Sequence, residues 1–414
     1  MNNALAELIN RGLIKQSTDI SVLDKMMTEH KAVYCGFDPT ADSLHVGSLL
    51  PLTVMKILRK HGVRVIALVG GATGLIGDPS FKAQERNMMD EDTVQKNIDG
   101  IIDVIQQVLG DDVQIVNNAN WVKDISMLDF LRVYGKCFTV NNMVNKESVR
   151  QRIERPDQGI SFTEFSYPIL QGLDFEHLFE MYDCTMQMGG SDQWGNMVAG
   201  MDVIHKLQGN DEECGVFTLP LLTKDDGTKF GKSESGTVWL SADKTSPFEM
   251  FQFWKNISDS ETIKMHQYFK PWSTVTDEDF AVMMEKDAPK TKTVFALCMV
   301  EMIHGEDAMG AVSNIVYSLF SGTYNCTHQD DIQLLVDGGI VEHKWTNNLV
   351  ETLVSSGLAT SRKMAREFIT NKAVKVNGEV VGEDFDVQSI LAIPSELFVL
   401  QRGRKNFVVI RIGE

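Results

Sequence analysis

Apolar and polar positions follow two rhythms along this chain, and the rhythm changes twice. In the first third, short aliphatic runs are separated by helical patterns. Ala32–Cys35 is brief and apolar, and Val63–Val69 is a nearly continuous β-branched and aliphatic run, the pattern of a strand buried on both faces of a parallel sheet. Val113–Val116 and Cys184–Met188 read as further strands. Val46–Lys60 carries Leu49, Leu50, Met55, Ile57 and Leu58 at helical spacing and stops at Gly62. Thr93–Leu109 is helical again. Alternating strands and helices predict an α/β fold with a doubly wound parallel sheet (Rossmann-like). From Pro247 to Phe320 helical spacing takes over, first at Phe248, Met250, Phe251 and Trp254, then at Val294, Leu297, Cys298 and Met302, which predicts an α-helical unit. The tail returns to mixed elements. Helices fit Asn347–Ser356, ended by Gly357, and Arg362–Thr370, with Ser361 as N-cap and Asn371 as the residue just past the end. Ala373–Val376 and Glu379–Val381 flank Asn377-Gly378 as a hairpin, and Leu397–Gln401 and Phe407–Ile412 read as strands. The expected organisation is 1–222, an α/β domain; 223–246, a loop region; 247–335, helical; 336–347, a linker; and 348–414, a small α+β unit.

Composition narrows the class. With 43% apolar and 23% charged residues, the chain is neither disordered nor collagen-like. A formal net charge of −18 excludes a general basic coat for nucleic acid, so any RNA contact must come from local patches. The tail is such a place: from 350 onward nine basic residues meet eight acidic ones. Six cysteines, at 35, 137, 184, 214, 298 and 326, include no C-x-x-C pair, which argues against structural zinc and for reduced thiols in a cytosol. The N-terminal MNNALAELINRGLIKQSTDI lacks the apolar core of a signal peptide. The longest uncharged apolar run, Val65–Gly77, is shorter than the ~20 residues of a membrane span. A cytoplasmic protein is expected.

In doubly wound sheets, ligands sit outside the carboxyl ends of the strands. Two glycine-rich turns fall there: Gly70-Gly71-Ala72-Thr73-Gly74 after Val69, and Gly189-Gly190-Ser191-Asp192 after Met188. The second can hold ribose hydroxyls or be an ordinary tight turn. Between Pro39 and Ser48 a loop enters a helix near His45, where open N–H groups and a partial positive charge suit phosphates. Gly47 would let a nucleotide ring lie flat on backbone, although a plain N-cap loop reads the same way. Lys229-Phe230-Gly231-Lys232-Ser233 is no P-loop, because Asp226 stands where the first glycine belongs. Its two lysines could instead close over a triphosphate, or merely face solvent. Tyr167, Gln171 and Asp174 share one helix face. Asp174 lies among Ile169, Leu170 and Leu173, so it needs a partner that a ligand hydroxyl could supply; a satisfied buried carboxylate is the alternative.

As an ordered set, these stretches resemble a class I aminoacyl-tRNA synthetase. His45-Val46-Gly47-Ser48 corresponds to its HIGH signature and Lys229–Ser233 to its KMSKS signature. Tyr34-Cys35-Gly36-Phe37-Asp38-Pro39-Thr40, Gly77-Asp78-Pro79, Tyr167…Gln171…Asp174 and Gly190-Ser191-Asp192-Gln193-Trp194-Gly195-Asn196 resemble the bacterial-type tyrosyl-tRNA synthetase family. In the tail, Ser361-Arg362-Lys363-x-x-Arg366 and Val374-Lys375-Val376-Asn377-Gly378 resemble an S4 RNA-binding domain. The likeness spans essentially the whole chain. Ser48 departs from the second histidine of HIGH, and Phe230-Gly231 from the middle of KMSKS.

The resemblance implies a homodimeric tyrosine–tRNA ligase. It would activate L-tyrosine with ATP (Mg²⁺ carried by the nucleotide) and pass the tyrosyl group to the terminal ribose of tRNA(Tyr). It implies that Tyr34 and Asp174 bond the phenolic hydroxyl, and that Asp78, Tyr167 and Gln171 hold the α-ammonium, with Gln187 in the same pocket. Gly36, Asp38, Pro39, Gly47, Ser48, Gly190, Asp192 and Gln193 would seat ATP. Thr40 and His45 would meet the γ-phosphate side, and Lys82, Arg86, Lys229, Lys232 and Ser233 the pyrophosphate. No metal site on the protein is implied. Arg150, Arg152 and Arg155 would grip tRNA near its acceptor end; Arg362, Lys363, Arg366, Lys372 and Lys375 would grip it from the tail. A tryptophanyl enzyme on the same scaffold is the rival, although an acid paired with Tyr34 favours a phenol over an indole.

Overall fold

The structure is a computed structural model that describes residues 1–413 apart from 79–88, 147–148, 151–152, 155–158, 226, 229, 234–235, 321–331, 333–334, 337–339, 347, 390–396 and 404–405. It divides into two compact units: Met1–Ser241 with Ile263–Lys270, and Ala242–Thr262 with Pro271–Glu414.

The first unit is built on a six-stranded sheet of β1 (Gln16–Ser17), β2 (Ala32–Phe37), β3 (Val65–Val69), β4 (Gln114–Asn117), β5 (Cys184–Gly190) and β6 (Gly215–Leu219), in the order β1-β6-β5-β2-β3-β4. All neighbours run parallel except β1, which pairs antiparallel with β6. The chain winds outward from β2 through β3 to β4, then from β5 to β6 on the other side. The crevice between β2 and β5 is therefore a switch point, the place where such sheets bind ligands. Every residue of β3 and β6 is buried, as strands covered on both faces require.

The aliphatic runs locate β2 to β5 to within a few residues. One expectation about this sheet needs correction. Gly189 and Gly190 belong to β5 itself, paired with Thr218 and Leu219, rather than to a turn after it. β1 and β6 went unread: β1 is two residues long, and β6 opens on glycine and includes a threonine.

Helices pack on this sheet. A 3₁₀ turn, Val46–Ser48, leads into the helix Leu49–Lys60, so Pro51 falls in the first turn, where its missing N–H costs nothing. Glu91–Leu109 is capped by Asp90, whose carboxylate accepts from Thr93 N–H. Phe162–Tyr182 ends where Asp183 turns left-handed (φ 53°), and Trp194–Leu207 follows β5. One buried cluster joins Tyr34, Ile66, Val116, Trp121, Phe175 and Met197. A short hairpin, β7 (Lys232–Ser233) with β8 (Gly236–Thr237), lies beyond β6.

In the second unit, helices Pro247–Asn256, Asp277–His304 and Glu306–Phe320 occupy the stretch read as helical. Ser246 and Glu249 form a capping box on the first. The second kinks at Asp287, two residues before Pro289, as a proline inside a helix demands. The tail forms a sheet of β9 (Glu342–Lys344), β10 (Val374–Val376), β11 (Glu379–Val380), β12 (Leu397–Arg402) and β13 (Asn406–Arg411), ordered β11-β10-β12-β13-β9, with helices Leu349–Ser355 and Arg362–Thr370. Asn377 (φ 46°) and Gly378 (φ 87°) both sit at positive φ, the type I′ turn that the dipeptide predicts. The helix Arg362–Thr370 is capped by Ser361 as expected. Asn371, however, keeps φ −76°, and Lys372 takes the left-handed position at φ 56°. Within the expected linker 336–347, β9 pairs in parallel with β13, and Trp345 packs edge-on to Phe398. That stretch is thus partly an edge of the tail's own sheet, while Asp337–Gly339 lie outside the described residues.

Candidate active site

A cleft of ≈ 440 Å³ opens at the carboxyl ends of β2 and β5, and it gathers most of the residues singled out in the sequence. At its buried end, Tyr34 of β2 lies in register between Ile66 of β3 and Gln187 of β5. Its ring leans on Phe175 (5.3 Å), and its hydroxyl has no partner among the described residues. Burial, reinforced by the nearby Asp174 charge, holds the Tyr34 phenol protonated far above its usual range. Gln171 and Gln187 also point unpartnered, buried Oε1 atoms here. A buried polar atom left unpaired is costly, so three in one place mark a site shaped for a polar ligand.

Asp174 is 2% exposed. It does not bond Tyr34, and it does not wait for a ligand to supply its first partner. Asn118 Nδ2 donates to Oδ2 and Trp121 Nε1 to Oδ1, each at 2.9 Å. Each oxygen keeps a second lone pair, so the carboxylate can still accept from a ligand hydroxyl. Burial raises its pKa to about 7, against the two donors, which pull it down. Asn118 and Trp121 were not picked out from the sequence. The signal was there: Asn118 directly follows β4, at the carboxyl end of a strand.

Toward the mouth, Asp38 follows β2. Its carboxylate accepts from Tyr167 Oη and from Thr73 Oγ1, both at 2.8 Å. Asp78 accepts from Gln193 Nε2 at 2.7 Å. Gln193 Oε1 in turn accepts from Asn196, whose own oxygen accepts from Lys146 Nζ, each at 3.3 Å. Burial pulls that lysine's pKa down to about 8. Lys146 stands in no recognisable pattern, and Asn196 closes the Gly190–Asn196 stretch that carries the resemblance without a role assigned to it there.

The turn after Pro39 differs from expectation. Its N–H groups are not open to a phosphate. Val46 N–H donates to Val238 O (3.0 Å), Ser48 N–H to His45 O (2.8 Å) and Gly47 N–H to His45 Nδ1 (2.9 Å). The last bond makes Nδ1 the acceptor and puts the ring proton of a neutral imidazole on Nε2. The space that Gly47 leaves is filled first by this ring: a Cβ there would come within 2.5 Å of His45 Cε1. Polar side chains, not main-chain donors, line this end, among them Thr40, His45 and Ser48. The lysine loop is anchored beside them. Gly231 (φ 95°) accepts from Val238 N–H, and His45 and Trp239 form an isolated bridge.

Tyr34, Gly36, Asp38, Thr40, His45, Gly47, Ser48, Asp78, Tyr167, Gln171, Asp174, Gln187, Gly190 and Gln193 thus border one cleft. Pro39 stands behind it, its ring against Gly74 and its carbonyl bonded by Asn97 (2.9 Å). Asp192 sits in the turn after β5. Lys82, Arg86, Lys229, Arg152 and Arg155 lie outside the described residues; Lys232 and Ser233 are described as backbone of β7. Arg150 is exposed and pairs with Glu154. In the second unit, Arg362, Lys363, Arg366 and Lys372 are exposed and Lys375 half-buried; Arg362 pairs with Glu351 and Arg366 with Glu383, each at 2.9 Å.

Two family models match the chain. One, described as tRNA synthetases class I (W and Y), matches residues 26–321; the other, described as Tyrosine--tRNA ligase SYY-like C-terminal domain, matches residues 332–410. The chain is 41% identical over 419 residues to Tyrosine--tRNA ligase 1 of Vibrio parahaemolyticus, covering 98% of each. It is 43% identical over 426 residues to the Tyrosine--tRNA ligase of Aliivibrio fischeri, again covering 98% of each. A solved structure of a C-terminally truncated mitochondrial tyrosyl-tRNA synthetase from Aspergillus nidulans matches with a TM-score of 0.68 and 28% identity, over 77% of this chain and 95% of that one.

Proposed function

Because this chain belongs to the tyrosine–tRNA ligase family of class I tRNA synthetases, we propose that its cleft joins L-tyrosine to ATP and then delivers the tyrosyl group to tRNA. The observation that carries the reading is the buried end: an unpartnered Tyr34 hydroxyl beside a desolvated Asp174 that keeps two lone pairs free of protein donors. A phenol satisfies both, accepting from Tyr34 and donating to Asp174. An indole carries its N–H elsewhere on the ring and has no oxygen to accept, and phenylalanine leaves both groups unpaired. The family model over 26–321 covers both the tryptophan and the tyrosine enzymes, whereas the C-terminal model and the relatives bear tyrosine's name alone.

In this reading, Asp78, Tyr167 and Gln171 hold the α-ammonium and Gln187 lines their pocket. Asp38, Gly190, Asp192 and Gln193 seat the nucleotide with Gly36, Pro39, Gly47 and Ser48. Thr40 and His45 serve the phosphate end, and Lys82, Arg86, Lys229, Lys232 and Ser233 act on the pyrophosphate. ATP enters as its magnesium complex, the ion riding on the phosphates as part of the substrate. The substrate carboxylate is already a nucleophile at neutral pH, so its attack on the α-phosphorus needs alignment and charge stabilisation rather than a protein nucleophile. Pyrophosphate leaves, and a terminal ribose hydroxyl of tRNA then displaces AMP from the tyrosyl carbonyl.

The tRNA would be gripped by Arg150, Arg152 and Arg155 and by the tail, whose five candidate cations stand on a short helix, the turn after it and the hairpin. We divide the roles as catalysis in the α/β part and RNA binding in the tail from β9 onward. The chain acts as a homodimer in this reading, supported by the exposed apolar side chains Met127, Leu128, Leu131 and Val140 in the first unit. A cytoplasmic setting is supported by five free cysteines among the described residues, none of whose described helices is long and apolar enough to cross a membrane.

Two assays on two chains test the reading. In the full chain and in one ending at residue 331, tyrosine alone should drive ATP–pyrophosphate exchange, and only the full chain should charge tRNA. Exchange driven by tryptophan, or equal loss of both activities on truncation, would refute it.

A further inference from the structure

One fully buried side chain bonds Asp174 at one end of the cleft and reaches Asp38 at the other through a single neighbour. Asn118, 0% exposed, stands between the end of β4 and the helix Ala119–Val122. Its Oδ1 accepts the main-chain N–H of Ala72 at 2.7 Å. Its Nδ2 donates to Asp174 Oδ2 at 2.9 Å and to Thr73 Oγ1 at 3.1 Å. Ala72 N–H can only donate, so the amide has one orientation. Turned over, it would set NH₂ against N–H and a carbonyl oxygen against a carboxylate. Thr73, accepting from Asn118, gives its one hydroxyl proton to Asp38 Oδ1 at 2.8 Å, and Asp38 Oδ2 accepts from Tyr167 at 2.8 Å. The bonds run without a break from Asp174 through Asn118 and Thr73 to Asp38 and Tyr167. The backbone is shaped to it: a Cβ on Gly70 would come within 2.3 Å of both Asp38 Oδ1 and Thr73 Oγ1.

We infer that Asn118 is a positioning residue that couples the two ends of the cleft, setting Asp174 for the phenol and, through Thr73, Asp38 for the nucleotide. The inference rests on the functional reading above and adds a link between its two subsites. Asn118 and Thr73 have no spare orientation, so displacing either one moves a partner of each carboxylate, whereas loss of the Trp121 donor leaves the two in place. Trp121 provides the contrast. Its indole has a single donor, spent on Asp174 Oδ1, and its ring stacks on His177 at 4.4 Å, so it reaches the same carboxylate without touching Thr73.

Pyrophosphate-exchange kinetics on full-length Trp121→Phe, Asn118→Ala and Thr73→Val separate coupling from a local effect. Trp121→Phe should raise the tyrosine KM about tenfold, the effect of one lost bond to a charged group, and leave the ATP KM within about twofold. Asn118→Ala should raise both KM values at least about fivefold. Thr73→Val, which matches threonine in size and touches neither Asp174 nor the phenol, should also move both, and it keeps the test alive if Asn118→Ala fails to fold. An ATP KM at the wild-type value in Asn118→Ala, or a Thr73→Val effect confined to ATP, overturns the coupling while leaving the functional reading intact. A wild-type tyrosine KM in Trp121→Phe overturns the assignment of Asp174 to the phenol, and the coupling with it.

Discussion

Asp174 is held between two demands. Burial favours its neutral form and lifts its pKa to about 7, while a phenol donor needs the ionised one. The sign for folding follows from the raised pKa. The protonated group stabilises the empty fold fully below the ordinary carboxylate range, and that contribution is lost as pH rises toward and through about 7. Binding runs the other way, because the acceptor is complete only above that value. The tyrosine KM should therefore fall as pH rises from 6 to 8, and Asp174→Asn should flatten that dependence. A KM profile unchanged by the substitution would contradict the assigned role.

At the scale of elements, the site depends on where strands end. Gly70 closes β3 and leaves no room for a side chain beside Asp38 and Thr73. Gly70→Ala must push that turn aside, and a displacement near 1 Å among positioning groups costs about 10²-fold in rate. We expect kcat/KM for exchange to fall by about that factor while the far-UV circular dichroism stays that of the parent. A variant as active as the parent would show that the turn tolerates the shift. This is also the scale at which the sequence is informative and incomplete. β3 announces itself because both of its faces are covered and every position is aliphatic. β6, equally buried, hides behind a glycine and a threonine. Tyr167, Gln171 and Asp174 could be set on one face from spacing alone. Asn118, Trp121 and Thr73 could not be joined to them, because contacts between distant strands leave no local period. The closed Val46 N–H was unreadable for the same reason, since its acceptor, Val238, is far along the chain.

At the scale of the molecule, a net charge of −18 means that an RNA grip must be local, and the proposed homodimer would bury apolar surface. Leu128 is 69% and Leu131 50% exposed, three residues apart on adjoining helical turns. Leu128→Glu with Leu131→Glu should yield a monomer in sedimentation velocity, and a dimer that survives both charges would move the interface elsewhere. The most direct test of the whole account returns to the acid beneath the cleft: amino-acid-dependent pyrophosphate exchange in Asp174→Ala. Discrimination between tyrosine and phenylalanine should collapse, a far larger effect than any change in the ATP KM, because the phenol loses its acceptor while Asn118 keeps its bonds to Ala72 and Thr73. Tyrosine selectivity equal to that of the unaltered chain would mean that the phenol is recognised somewhere else.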